Sequence, residues 1–366
     1  MKVIIAAAGT GGHINPGIAI AKIIEKEYPS SDIRFIATGK KLEEDLISKA
    51  GYKSYAISAY GFSKKISVDN FKKTIETLKG FKQARKILEE FNPDLVIGTG
   101  GYICGAVISS AKKLKIPTLL HESNAYPGLA IRMLQRKVDT ILLGIEEAGK
   151  YLKRAKRVVY TGTPTKIIDK NLTKTEKNKL LKEFKIDSKK KIVLVFGGSQ
   201  GARSINDKVL NLIKKKLNAN YHIIWATGQE QFDNIISELK ENEYDGVTIL
   251  PYIYNMQDVM TLSDLVVARS GAMTLTELAL LGKPAIFIPL PSSSANRQED
   301  NARVFERAGA AKIILNNELN ENILNDTIES IIGNDDILDE MSSCSKKMAV
   351  YNVEERILNE IKKLVG

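Results

Sequence analysis

Two stretches of the chain run through the same pattern: VIIAAAGTGGHINPGIAIAKII at 3–24 and KIVLVFGGSQGARSINDKVLNLI at 191–213. Each is a short apolar run, then a glycine-rich turn, then apolar residues at helical spacing. A buried strand that hands over through glycines to a helix opens a parallel α/β unit, because parallel strands need a crossover to return the chain to the same end of the sheet. Finding it twice in 366 residues constrains the chain to two such units, which its length supports.

The remaining apolar runs extend both units. Short buried strands are expected at 2–8, 33–38, 94–98, 117–121 and 139–143, with helical patterns at about 16–27, 42–50, 69–90, 102–114 and 127–136. A polar, heavily charged stretch at 150–191 interrupts them and contains Gly162-Thr163-Pro164. The pattern restarts with strands at 191–196, 221–226, 247–250, 264–268 and 285–288. The expected fold class is therefore α/β, with two Rossmann-like parallel sheets. The expected domains are 1–163 and 164–347, with an amphipathic C-terminal helix of about 348–366 packing back on the first domain.

Three glycine turns fit a phosphate: Gly9-Thr10-Gly11-Gly12-His13, Gly98-Thr99-Gly100-Gly101-Tyr102 and Gly197-Gly198-Ser199-Gln200-Gly201-Ala202-Arg203. Glycine lets the backbone come close to an anion, and the following helix start offers free N–H groups. None supplies the Gly-Lys-Ser/Thr of a triphosphate-binding loop. A dinucleotide fingerprint fails too: Ile14 stands at the third glycine position, and the second strand ends in Ala37-Thr38-Gly39 with no acid for a ribose. A dehydrogenase is disfavoured. Each turn read alone is equally consistent with a structural role; three at strand ends favour a ligand cleft.

No apolar run approaches the ~18–20 residues that span a bilayer, and the N-terminus does not read as a signal peptide. Cys104 and Cys344 form no C-x-x-C pair, which suits a reducing compartment. The formal net charge of +11 calls for an anionic partner. Over half of it lies between Tyr60 and Leu88, where eight Lys and Arg face two acids.

The segments GTGGHINPGIAIA, GTGGYICGAV, LLHESNAYPGLA, FGGSQGARSIN and ARSGAMTLTELALLGKPAIFIPLP…NRQEDNA, in this order from Gly9 to about Lys312, resemble the MurG family. These are bacterial UDP-N-acetylglucosamine transferases that convert lipid I to lipid II in peptidoglycan synthesis. The resemblance implies the GT-B fold, two Rossmann-like domains facing a central cleft. It also implies the substrates, UDP-GlcNAc and undecaprenyl-pyrophosphoryl-muramoyl-pentapeptide, and a peripheral location on the cytoplasmic face of the cell membrane.

The residues carried over on that resemblance divide by substrate. The N–H groups of Ala272, Met273 and Thr274 open a helix toward the donor diphosphate, followed by Leu275 and Thr276. Glu277 matches the residue that accepts both ribose hydroxyls, although a lone helix acid is ordinarily solvated. Ile253 matches the uracil-binding backbone, Ser199 would reach the diphosphate, and Gln298 and Asn301 match sugar contacts. Asn124 would touch the donor sugar from the other domain. Lys166 stands where the family has an arginine, keeping a cation without the bidentate fork. Gly100, Gly101, Tyr102 and His121 are expected on the acceptor side. Thr10, Gly11 and Gly12 are assigned to the lipid-linked diphosphate and counted with the donor contacts as well.

The β1,4 product implies inversion at the anomeric carbon, so a base must take the acceptor's 4-hydroxyl proton. His13 is the candidate, and capping the helix or bonding a phosphate is its alternative role. Glu122 is the second candidate, with a structural strand-end carboxylate as its alternative; His222 reads as a strand histidine without a catalytic partner. No Asp-x-Asp pair follows a strand in the donor half, so no cofactor and no protein-bound metal are expected. For membrane contact the candidates are Phe62, Lys64, Lys65, Lys72 and Lys73 on an anionic surface, with one stripe of the helix at 69–90 buried. Three other readings stay open: a diacylglycerol glucosyltransferase of the same fold, a UDP-GlcNAc epimerase acting on the donor alone, or a nucleotide-sugar sensor. Nucleic acid is not expected, because Tyr60, Phe62, Phe71 and Phe81 form no RNA-binding strand motif.

Overall fold

The computed structural model describes residues 1–58, 68–198, 200–239, 245–291 and 297–366, with only the backbone described for 68–77. The chain divides into two compact units, Met1–Lys166 with Val350–Gly366, and Ile167–Ala349.

The first unit alternates β1 (Lys2–Ala7), α1 (Gly11–Glu27), β2 (Asp32–Ala37), α2 (Lys41–Lys49), β3 (Lys53–Ala56), α3 (Val68–Phe91), β4 (Leu95–Gly100), α4 (Ile103–Lys113), β5 (Thr118–Glu122), α5 (Leu129–Leu134), β6 (Thr140–Leu143) and β7 (Val158–Tyr160). Its seven strands lie in the order β3-β2-β1-β4-β5-β6-β7, and every pair is parallel. Alternate residues of β1 serve opposite faces: Ile4 and Ala6 join one apolar layer, and Val3, Ile5 and Ala7 the other. This two-sided burial is why the run reads as continuously apolar.

The second unit runs α6 (Lys174–Glu183), β8 (Lys191–Phe196), α7 (Arg203–Lys214), β9 (Tyr221–Ala226), α8 (Gln229–Glu238), β10 (Val247–Leu250), α9 (Met256–Leu262), β11 (Leu265–Ala268), α10 (Ala272–Leu281), β12 (Ala285–Phe287), α11 (Arg297–Arg307), β13 (Ala311–Ile313), α12 (Glu321–Ile332) and α13 (Asp335–Lys347). Its parallel sheet has the order β10-β9-β8-β11-β12-β13. The last helix, α14 (Val353–Val365), belongs to the first unit. Asn352, at φ 56°, takes the left-handed turn ahead of it. Ile357 and Ile361 bury against the α1 face, and Arg157 forks onto the buried Glu360 at 2.6 and 2.9 Å.

In both sheets the strand order reverses beside the strand that carries the glycine turn, between β1 and β4 and between β8 and β11. Loops diverge at such a switch point and leave a crevice at the carboxyl ends of the strands, where ligands bind in open α/β sheets. Among the described residues no helix is long and apolar enough to cross a membrane.

Candidate functional site

In the first unit the site grows from one irregularity. The pairing of β1 with β4 slips between Ala6 and Ala7, so that Ala6 faces Gly98 while Ala7 faces Gly100. A bulge re-aims the extra residue, and Thr99 Oγ1 donates to the His13 carbonyl at 2.7 Å, joining the turn after β4 to the start of α1. Gly100 (φ 131°) and Gly101 (φ 88°) follow. A methyl group at Gly100 would lie 2.3 Å from His13 Cδ2, and one at Gly101 would lie 2.5 Å from the Ala8 carbonyl oxygen. Only glycine lets the two turns close on each other and on the imidazole.

His13 Nδ1 lies 2.8 Å from the Ala8 carbonyl oxygen. A carbonyl only accepts, so Nδ1 carries the proton and, in the neutral ring, Nε2 carries the lone pair. That is the tautomer a base requires. Thr10 gives α1 no side-chain cap. Beneath the turn, the fully buried Glu43 accepts from the Gly9 N–H at 2.7 Å and from the Thr38 N–H and hydroxyl at 2.7 and 2.8 Å. Sequence reasoning missed this residue. Its only signal was an acid in the first turn of α2, close behind Thr38-Gly39.

At the end of β5 three polar residues are turned inward. His121 is fully buried, with Nε2 donating to the Gly162 carbonyl at 3.2 Å and Nδ1 3.3 Å from Ser123 Oγ. Burial pushes its pKa down to about 4. Glu122 accepts from the Asn124 backbone and side-chain N–H groups, both at 2.9 Å, and from the Gly128 N–H at 2.7 Å. Its carboxylate thereby orders the 124–128 loop. Tyr102, at the start of α4, is 67% exposed. Lys166 is exposed and ends the segment leading out of the unit.

In the second unit Gly271 is the N-cap of α10 and adds no side-chain cap, so the Ala272, Met273 and Thr274 amides open the helix. Leu275 packs into the interior, and Thr276 Oγ1 donates to the Ala272 carbonyl at 3.0 Å. Glu277 is half-buried one turn into the helix. Ser270 Oγ donates to the Gln298 carbonyl at 2.7 Å, the fully buried Asn301 donates to the Ser270 carbonyl at 3.1 Å, and Gln298 Oε1 accepts from the Leu290 N–H at 2.9 Å. The family positions at 298 and 301 thus knit the β11 and β12 turns together. Ile253 is buried between exposed Tyr252 and Tyr254, whose rings meet edge-on at 5.0 Å. His222 Nε2 lies 2.9 Å from Thr248 Oγ1, inside the sheet.

Ser199, Phe62, Lys64 and Lys65 lie outside the described residues; Lys72 and Lys73 lie on α3, where only the backbone is described. Among the described residues, no group of three or more His, Cys, Asp or Glu side chains could hold a metal ion.

Residues 3–143 match the glycosyltransferase family 28 N-terminal domain, and residues 192–357 match the family 28 C-terminal domain. The chain belongs to glycosyltransferase family 28. It is 42% identical over 367 residues to the UDP-N-acetylglucosamine–N-acetylmuramyl-(pentapeptide) pyrophosphoryl-undecaprenol N-acetylglucosamine transferase of Ruminiclostridium cellulolyticum, with 100% of both chains covered. It is also 42% identical over 366 residues to the enzyme of the same name from Acetivibrio thermocellus, covering 100% of this chain and 98% of that one. The crystal structure of Acinetobacter baumannii MurG matches with a TM-score of 0.81 at 26% identity, covering 99% of each chain. Family 28 membership makes the chain a UDP-sugar glycosyltransferase of the GT-B fold.

Proposed function

We propose that this family 28 enzyme transfers N-acetylglucosamine from UDP-GlcNAc to the 4-hydroxyl of the muramoyl sugar of lipid I, inverting the anomeric centre to give lipid II. The names of the full-length relatives supply the substrates. One observation carries the chemistry: the Ala8 carbonyl holds the His13 proton on Nδ1, leaving Nε2 to accept another.

The acceptor 4-hydroxyl oxygen attacks the anomeric carbon and gives its proton to His13 Nε2. The bond from that carbon to the diphosphate oxygen breaks, and UDP leaves with the electron pair. The Ala272, Met273 and Thr274 amides stabilise the charge that develops on it. Glu277 takes the ribose hydroxyls and Ile253 the uracil. Thr10, Gly11, Gly12, Gly100, Gly101 and Tyr102 hold the lipid-linked diphosphate. Asn124 reaches the donor sugar and Lys166 a phosphate. His121 and Glu122 keep the acceptor-side loops in place, with the base role left to His13.

The acceptor is a lipid, so the enzyme works on the cytoplasmic face of the membrane, through the basic segment that holds Phe62, Lys64, Lys65, Lys72 and Lys73. A second basic region of the same unit supports this reading. Residues 126–157 carry eight Lys and Arg against three acids and expose Leu129, Met133 and Tyr151.

Steady-state turnover of His13→Ala, run beside a calorimetric UDP titration, tests the mechanism. General-base catalysis contributes about 10²–10⁴-fold, so turnover falls by that order with UDP affinity unchanged. A loss below tenfold assigns the proton to another group.

A further inference from the structure

Arg269 directly follows β11 and is only 9% exposed. Its Nη1 donates to the Ile288 carbonyl at 2.8 Å, the Pro289 carbonyl at 3.0 Å and Asn316 Oδ1 at 3.0 Å, and its Nη2 donates to Ser204 Oγ at 2.7 Å. Ser204 in turn donates to Asn316 Oδ1 at 2.8 Å. Ile288 and Pro289 follow β12, Asn316 follows β13, and Ser204 lies in the first turn of α7, which follows β8. One guanidinium therefore ties together the carboxyl ends of β11, β12 and β13 and the helix start after β8. Among the described residues, no carboxylate is one of its hydrogen-bond partners, and Nε is buried without one.

A neutral amide could bridge carbonyls at less cost than a buried cation. Burying a charge without an opposite charge is unfavourable, and neutral acceptors satisfy its N–H groups without neutralising it. Burial lowers the Arg269 pKa to about 10, so the group is still charged at neutral pH. The first residue of α10 is three positions further on, and the next residue, Ser270, bonds the Gln298 and Asn301 turn.

We infer that Arg269 is a positioning residue of the nucleoside-diphosphate site in the second unit: it fixes the turns that present the α10 amides and supplies the buried positive charge that a bound diphosphate neutralises. This rests on the donor reading of α10 given above.

Calorimetric titration of the full chain with UDP tests it, using Arg269→Met, Arg269→Lys and Glu277→Ala, with stoichiometry and melting temperature recorded for each. Charge-assisted contacts set the scale. Arg269→Met should bind at full stoichiometry with affinity lowered roughly tenfold or more and with a shallower salt dependence, and Arg269→Lys should recover the salt dependence. A merely structural arginine would instead lower the melting temperature or the stoichiometry while the folded fraction bound UDP with wild-type affinity; that result overturns the inference. If Arg269→Met does not fold, Ser204→Ala/Asn316→Ala removes two acceptors and keeps the cation. It should weaken UDP binding at least about threefold, and wild-type affinity there is equally contrary. Glu277→Ala separates the two claims. Unchanged affinity in that variant rejects the donor site itself, whereas a loss there with none in the Arg269 variants rejects only the role of Arg269.

Discussion

Gly100 matters for what it lacks. Its α-carbon lies against the His13 ring, and its φ of 131° is one that L side chains rarely adopt. In Gly100→Ala the new methyl must displace the imidazole or open the turn, and either breaks the alignment of His13 with the Ala8 carbonyl. Misplacing a catalytic group by about an ångström costs on the order of 10²-fold. Gly100→Ala should therefore lose turnover nearly as His13→Ala does, with UDP affinity unchanged, because the donor contacts proposed on α10 lie in the other unit. Wild-type turnover in Gly100→Ala would detach His13 from catalysis. The glycines and His13 were visible in the sequence because they sit in two short turns, Gly9–His13 and Gly98–Tyr102, each directly after an apolar strand run. Glu43 and Arg269 were not. Glu43 reaches 34 residues back to Gly9, and Arg269 binds backbone oxygens 19 and 20 residues away and Ser204 65 residues away. No local pattern announces contacts of that kind.

At the scale of elements, strands that present an apolar run were legible, the margin strand β10 at 247–250 among them, and three short margin strands were not. The apolar runs at 2–8 and 191–196 match β1 and β8 within a residue or two, since both faces of a central parallel strand are covered. By contrast β3, β7 and β13 are short and partly exposed at or near the sheet margins, so they present no unbroken apolar run. β7 sits inside the charged stretch at 150–191 that reads as a break between the two units. Strands also hold both buried, perturbed histidines. Burial pushes the pKa of His121 on β5 and of His222 on β9 down to about 4, with the Lys190 charge adding to the effect at His222. Between about pH 6.5 and 4 the unfolded chain binds these protons and the folded chain does not, so stability is full above pH 6.5 and is lost as pH falls through that window. The loss is of order 3 kcal/mol per histidine at most. Denaturant unfolding at pH 7 and pH 5 measures it, and His222→Gln should flatten the pH dependence of the second unit alone. An unaltered slope in that variant would show that His222 already titrates normally in the fold.

Across the whole molecule, charge is divided as unevenly as function. Residues 1–166 with 350–366 hold 31 Lys and Arg against 18 acids, while 167–349 hold 23 against 25. The excess that the sequence placed at Tyr60–Leu88 is thus joined by a second basic region at 126–157, and both belong to the unit proposed to meet the lipid. Each lysine or arginine near an anionic surface contributes about 1 kcal/mol, screened by salt. Reversing Lys64, Lys65, Lys72 and Lys73 to Glu should abolish sedimentation with anionic vesicles while sparing activity on a short-chain soluble acceptor; sedimentation like wild type at moderate salt would move the docking face elsewhere. The transferase assignment itself is tested most directly by proton NMR of the product formed from UDP-GlcNAc with and without a short-chain lipid I. The prediction is a β1,4-linked disaccharide lipid and free UDP, formed only when acceptor is present. Conversion of UDP-GlcNAc to its 2-epimer without acceptor, or an α-linked product, would contradict it.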